Sequence, residues 1–406
     1  MRLFKVILII LASAVMVACG GGGNDDSPSP VAKAAWTSSA TSLLTDYSIF
    51  GVAPPVLQTF DNQTVRQIVS VAVSGSKLRI KLSNVLGGVD VTISKASIGK
   101  IQTAQSIVEG STVAVSFGGA SGVTIAAGKE IWSDPVNIET AAASKLAVDV
   151  YFQTPTPVTT GHLYTNSAFI ASGDQTGAAT LSGSASASSS YLLTEIDTYS
   201  RNIKKVVVAF GDSITQGQTS KVGGYPYFLQ DRFNQSSQVG SVSVVNAGIS
   251  GNRILRDFTG PSALSRFGRD DLGVTGVTDT IVFMGINDIQ NDAVFPDQKA
   301  NADQIISGLV TMVNQAKQAG VKITLGTILP WGGSVYYSSD REAVRKAVNA
   351  WIRSNKLADA VVDFDLALRN PQSALVLDPA YDSGDHVHPN DAGYQKMATT
   401  LDLNAI

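Results

Sequence analysis

The feature that most constrains the fold is a change of hydrophobic period part-way along the chain. From about Trp36 to Ser200 apolar residues recur at every second position, most plainly in Lys77-Leu78-Arg79-Ile80-Lys81-Leu82 and Leu146-Ala147-Val148-Asp149-Val150-Tyr151-Phe152. Such alternation belongs to strands that bury one face. Runs at Val89 to Ile93 and Thr112 to Phe117, separated by Gly, Ser, Asn and Asp clusters, add short antiparallel strands at sandwich-like spacing. The stretch SGSASASSS, residues 182–190, reads as a solvated low-complexity loop. After Asn202, strand candidates at 206–210, 242–247, 280–284, 321–328 and 361–366 alternate with helical segments, which predicts a parallel sheet covered on both faces.

The helices carry their own signals. Pro226 suits a first turn. Ile305, Ile306, Leu309, Val310 and Val313 form the buried stripe of a helix that stops at Gly320, where a left-handed cap suits glycine. Val344, Ala347, Val348, Trp351 and Ile352 form another stripe, and a final helix begins near Asn390, after Pro389. The expected organisation is an all-β sandwich, jelly-roll-like, over 36–200 and a three-layer α/β domain over 201–406.

At 406 residues the chain is long enough for both. A formal charge of −3 offers no broad electropositive surface for a phosphate backbone, so nucleic acid is not an expected partner. The single cysteine, Cys19, leaves no intramolecular disulfide and no Cys-based zinc site. Ahead of it, basic Arg2 and Lys5 precede an apolar stretch ending at Ala18, shorter than the roughly 20 residues that span a bilayer. That is an export signal over 1–18. MVAC followed by the polar GGGGNDDSPSP resembles a bacterial lipobox, with Met16 where leucine is usual, and implies a lipidated Cys19, a flexible tether over 19–35 and attachment to a membrane of the cell envelope. The plainer reading is a secretory signal cleaved near that cysteine.

In an open parallel sheet, ligands bind beyond the carboxyl ends of the strands. Gly211-Asp212-Ser213 follows the first strand, Asn246-Ala247-Gly248 the second, Gly285-Ile286-Asn287-Asp288 the third, and GDHVHP, residues 384–389, precedes the last helix. The set suits acyl transfer. A serine hydroxyl is a weak nucleophile until a base takes its proton, and a carboxylate must hold that base in the right tautomer. Asp385 lies three residues before His388, close enough to reach Nδ1 and leave Nε2 for Ser213, whereas adjacent His386 is worse placed. Pro389 biases His388 toward an extended conformation. An oxyanion could be met by the Ser213 N–H, the Gly248 N–H and the Asn287 side-chain amide, glycine being suited to close approach.

Together these blocks resemble the GDSL/SGNH hydrolases: Gly-Asp-Ser, a glycine within NAGISGN, Gly-x-Asn-Asp, and Asp-x-x-His, in order and at similar spacing. Ile214 stands where the name-giving tetrapeptide has leucine. NRIL, ALSRFGRDDL and GINDI are similar to secreted bacterial xylanase-associated acylhydrolases, and TVRQIV, LRIKLSN and SDPV to the β domain that precedes the catalytic one there. The resemblance implies a flavodoxin-like α/β/α domain, a nucleophile at Ser213, a triad with Asp385 and His388, oxyanion donors at Ser213, Gly248 and Asn287, no cofactor or metal, and an ester substrate such as an acylated polysaccharide.

Other readings stand beside these. The natural ester could be an aryl or lipid ester, or the protein could be a carbohydrate binder with an inactive hydrolase domain. Asp212 and Asp288 read as structural turn residues. Asp378 and Asp382 read as loop carboxylates that could replace Asp385. DHVH also has metal-ligand chemistry. His162 reads as an ordinary β-domain residue or part of a loop over the rim, and Trp331 as pocket-lining or structural. Arg253, Arg256, Arg266 and Asp270 either orient a polar substrate or pair among themselves.

Overall fold

The computed structural model describes residues 29–103 and 105–406. The expected leader and the lipidation of Cys19 lie outside the described residues. The first strand runs Val31–Thr37 and pairs with Leu193–Ser200, so residues 31–35 belong to the β region and not to the tether. Among the described residues no helix is long and apolar enough to cross a membrane.

The N-terminal region is built of antiparallel strands in two main sheets. One contains Val31–Thr37, Leu193–Ser200 and Gly75–Ser83 side by side. The other contains Ala185–Tyr191, Thr160–Ser172, Gln63–Ser70, Lys145–Phe152 and Lys95–Thr103 in that order. Leu78, Ile80 and Leu82 from the first sheet share a buried cluster with Val65, Leu146, Val148 and Val150 from the second. The alternation seen in sequence is thus the inward face of each sheet. The expected 182–190 loop is instead largely strand, pairing residues 185–191 antiparallel with Thr160–Ser172. Alternating Ser and Ala have little strand preference of their own, but a neighbouring strand supplies the ladder, and Ser189, Ser190 and Tyr191 are buried.

The C-terminal region has a five-stranded sheet, every pair parallel. In space the order is Val242–Gly248, Lys205–Gly211, Asp279–Phe283, Lys322–Gly326, Ala360–Val362. This 2-1-3-4-5 order is flavodoxin-like, and it reverses beside the first strand. Val207 and Ala209 face a cluster with Tyr225, Phe233, Tyr394 and Met397 from helices Gly224–Asn234 and Asp391–Thr400. Val206, Val208 and Phe210 face the opposite cluster, with Ile305, Leu309, Val313 and Ile352 from helices Ala302–Gln318 and Ser339–Ser354. Helices therefore cover both faces.

Two expectations change in detail. The last strand is short because Asp363 starts a helix, its carboxylate accepting from the Leu366 N–H, so residues 364–368 are helical. In helix Ser339–Ser354, Ala347 is exposed and Glu342, Arg345 and Asn349 are buried beside Val348 and Ile352. An ion-pair network inverts the apolar pattern there: Arg345 pairs with Glu342 and Asp365, each at 2.8 Å. Gly320, with φ of 72°, ends the preceding helix as its position suggested.

The two regions meet along Val31–Thr37. Ser243 Oγ donates to the Ala34 carbonyl (2.7 Å), Thr37 Oγ1 to the Asn246 carbonyl (2.8 Å), and the Ala34 N–H to the Thr275 carbonyl (3.0 Å).

Candidate active site

Register along the parallel sheet aligns Gly211 with Gly248 on one side and Phe283 on the other. Residues just beyond these positions converge at the point of strand reversal. Ser213 opens a one-turn helix, Ser213–Gln216, whose N-cap is Asp212, its carboxylate accepting from the Ile214 N–H at 3.0 Å. A first-turn N–H has no partner within its helix, so the Ser213 N–H is directed out of that turn.

The loop bearing His388 is pinned from several sides. The Asn390 side chain caps the last helix and donates to the carbonyls of Ala380 and Asp382. Thr219 Oγ1 donates to the Pro389 carbonyl (2.7 Å), Ser220 Oγ to Asp391 (2.6 Å), and the Tyr394 hydroxyl to the Gln218 carbonyl (2.6 Å). These bonds tie the turn after Ser213 to the loop around His388. Ser213 Oγ and His388 Nε2 are 2.8 Å apart, and His388 Nδ1 lies 2.6 Å from Asp385 Oδ2. Asp385 Oδ1 also accepts the N–H groups of Val387 (2.9 Å) and His388 (2.8 Å). Burial alone would raise the Asp385 carboxyl, but its bonds to His388 and Val387 outweigh that and hold it well below the usual carboxylate range.

The glycine expectation needs correcting. The Gly248 N–H donates to Asn246 Oδ1 at 2.8 Å, so it is not free for an oxyanion. Gly248 is glycine for a packing reason: a Cβ there would stand 2.2 Å from the Gln216 nitrogen, inside the helix that Ser213 opens. Three residues on, Gly251 has a φ of 75° and a main-chain N–H that no acceptor among the described residues meets. The sequence signal was present in NAGISGN, which holds two glycines; only the hydrogen bonds separate them. Asn287 is buried, donates one amide hydrogen to the Asn252 carbonyl (3.0 Å) and accepts from Gln290 (2.8 Å), leaving its second amide hydrogen.

The neighbouring charges are structural. Asp288 accepts from the N–H groups of Ile254 (2.7 Å) and Leu255 (3.0 Å), and burial pushes it up to about 6. Burial likewise pushes Asp212 up to about 7. Arg266 is fully buried and donates to the carbonyls of Gly211 (2.8 Å) and Ala247 (2.9 Å), to Asn252 Oδ1 (3.0 Å) and to Ser39 Oγ (3.1 Å). It thereby binds two strand ends, a rim loop and the β region, while Asp270 pairs mainly with Arg269. Arg253 and Arg256 line a cavity of about 490 Å³ with Gln298 and Asn301, and Ser213, Asp385 and His388 are not among its lining residues. Trp331 is buried, its indole donating to Glu342 at 3.2 Å, so it supports the core.

His162 is buried with Nδ1 2.7 Å from the Ser39 carbonyl oxygen. The next residue, Leu163, accepts from Gln216 Nε2 (3.1 Å), so this strand of the β region touches the helix Ser213–Gln216. Asp378 accepts from the Ala380 N–H within its own turn. Asp382 pairs with His386, its Oδ2 lying 2.6 Å from the ring Nδ1. Each imidazole of DHVH therefore has its own carboxylate, and among the described residues no group of three or more His, Cys, Asp or Glu is arranged to hold a metal.

Residues 209–396 match the model of the GDSL-like lipase/acylhydrolase family. No curated protein matches the chain. Among solved structures, the acetylxylan esterase Axe2 of Geobacillus stearothermophilus is 21% identical with a TM-score of 0.40, over 49% of this chain and 93% of that one. A putative lipolytic protein of the G-D-S-L family from Desulfitobacterium hafniense is 24% identical with a TM-score of 0.37, over 48% and 97%. These distant likenesses add nothing to the sequence match. Residues 209–396 are therefore a GDSL-like lipase/acylhydrolase domain, and the protein is a carboxylic ester hydrolase.

Proposed function

We propose that the protein is an exported serine esterase, lipid-anchored through Cys19, that removes short acyl groups, acetyl foremost, from polysaccharides. The observation that carries the catalytic part is the unbroken hydrogen-bond chain from Ser213 through His388 to Asp385. With its proton on Nδ1, held by Asp385, His388 presents Nε2 as base. Ser213 Oγ attacks the ester carbonyl as Nε2 takes its proton; the tetrahedral oxygen is met by the N–H of Ser213, the free amide hydrogen of Asn287 and the N–H of Gly251, in the place first given to Gly248. Each such donor contributes about 3 kcal/mol. His388 then protonates the leaving alcohol, and water repeats the cycle on the acyl-enzyme. No cofactor enters these steps. The polysaccharide preference follows the sequence resemblance, and the N-terminal β region, taken as a jelly-roll-like sandwich, supports the rim through Leu163 and Ser39.

The test pairs fluorophosphonate labelling with acid release from acetylated xylan, acetylated pectin and nitrophenyl esters of rising acyl length. Labelling at Ser213 and acetate release from polysaccharide are expected. Binding of polysaccharide without labelling would make the protein a spent hydrolase acting as a binder. Preference for long acyl chains would make it a lipid esterase. Maturation that is indifferent to inhibition of lipoprotein signal processing would remove the anchor.

A further inference from the structure

The catalytic imidazole has a neighbour held in the same manner. Asp382 accepts the His386 N–H at 3.1 Å on Oδ1 and faces the ring Nδ1 at 2.6 Å through Oδ2. Asp385 treats His388 likewise, at 2.8 Å and 2.6 Å. In the neutral ring of each pair, a carboxylate facing Nδ1 favours the proton there and leaves Nε2 with a lone pair. The Nε2 of His388 meets Ser213, whereas that of His386 meets no partner among the described residues, on a side chain 48% exposed.

His386 also occupies a costly conformation. Its φ is 62°, in the left-handed region that glycine adopts freely and a residue with a Cβ adopts only at a cost. Its ring lies against Gly333, where an added Cβ would come 3.0 Å from the ring Cγ, and Gly333 belongs to the loop that follows strand Lys322–Gly326. The imidazole therefore stands between two rim loops. Strain kept beside reacting groups, with a carboxylate orienting the strained ring, is how a fold holds a contact in place.

The side of the site is set by the reaction. His388 Nε2 serves both Ser213 Oγ and the leaving oxygen, so the alcohol portion of the ester lies toward the 384–389 loop, away from the donors on the 248–252 and 287 loops. His386 stands on that same loop, two residues before His388. We propose that His386, oriented by Asp382, binds a free hydroxyl on the alcohol portion of the ester, accepting its hydrogen at Nε2 and selecting polyol and sugar esters over simple alkyl and aryl ones. The inference deepens the proposed function and rests on its placement of Ser213 and His388.

The experiment compares wild type with His386→Gly and His386→Asn, both of which tolerate a left-handed φ, on four acetates: mono-O-acetyl methyl β-D-xyloside, glycerol monoacetate, ethyl acetate and 4-nitrophenyl acetate. Both variants should lose about fivefold in kcat/KM, through KM, on the xyloside and glycerol esters, and stay within about twofold on the other two, the size expected of one neutral hydrogen bond. The melting temperature of His386→Gly should not fall. Equal losses on all four esters would reduce His386 to a support of the loop, and no loss on the polyol esters would remove it from recognition; either overturns the proposal. If wild type hydrolyses the glycerol ester but not the xyloside, the polysaccharide reading fails, and glycerol monoacetate against ethyl acetate still decides for or against His386.

Discussion

Arg66 and Asp149 lie directly opposite each other on neighbouring strands of the β region, both fully buried, joined by two hydrogen bonds of 2.7 Å and 2.8 Å. Asp212 and Asp288, as deeply buried at the rim of the parallel sheet, accept from main-chain N–H groups, and the buried cation among them, Arg266, donates mostly to carbonyls. In the β region this buried charge is closed on its opposite, and the spare bonds of the pair go to the Gln105 and Ala178 carbonyls and the Gly177 N–H. At the rim, main-chain groups stand in place of the opposite charge. A carboxylate held by peptide dipoles is pulled toward protonation by burial, yet each of its bonds positions a loop that carries a reacting group.

This contrast is broken most sharply at the site itself. Ser213→Ala should lower kcat by about 10⁴-fold or more on any acetate while leaving the melting temperature in place, since one hydroxyl hydrogen bond is lost. A variant keeping full esterase activity would place the nucleophile elsewhere. The opposite profile belongs to Arg66→Ala, which strands the Asp149 carboxylate and should cost about 3–5 kcal/mol of stability, read by urea denaturation, with kcat of the folded fraction unchanged. A loss of activity greater than the loss of folded protein would mean that the β region does more than support. Asn287→Ala should cost about 10²- to 10³-fold in kcat with KM little changed, the mark of a donor used in the transition state.

The smallest effect is a pH dependence. Asp212 titrates near 7 when folded and near the ordinary aspartate value when unfolded, so between those values the folded state holds more of its proton. Its contribution to stability therefore falls as pH rises through that window. Asp212→Asn preserves an acceptor for the Ile214 N–H and removes the titration. Its melting temperature should gain on wild type at pH 8 relative to pH 4, and equal differences at the two values would show that Asp212 is ionised throughout.

Much of this was legible in the chain. The switch of period near residue 200 marks where antiparallel sheets give way to a parallel one, and the rim residues follow from reading what comes after each strand. Legibility ended where distant segments decide. Ala347 looked like core, but Glu342 and Asp365 make a buried site for the Arg345 guanidinium on that helix instead. Residues 185–191 look like loop because their ladder partner lies elsewhere in sequence. Asp382, four residues from His386, read as a plain loop carboxylate because sequence spacing does not reveal the left-handed turn at 386.

By itself the sequence determined the order of strands, the covering of both faces of the parallel sheet and the kinds of residue at its carboxyl edge, since periodicity and turn chemistry act between near neighbours in the chain. The tertiary structure alone decided that residues 185–191 join a sheet, that Arg345 is buried against Asp365, and that Ser213 meets His388 across 175 residues of chain. Those outcomes depend on hydrogen-bond competition among segments brought together only by packing, where a few tenths of an ångström determine which donor is already taken.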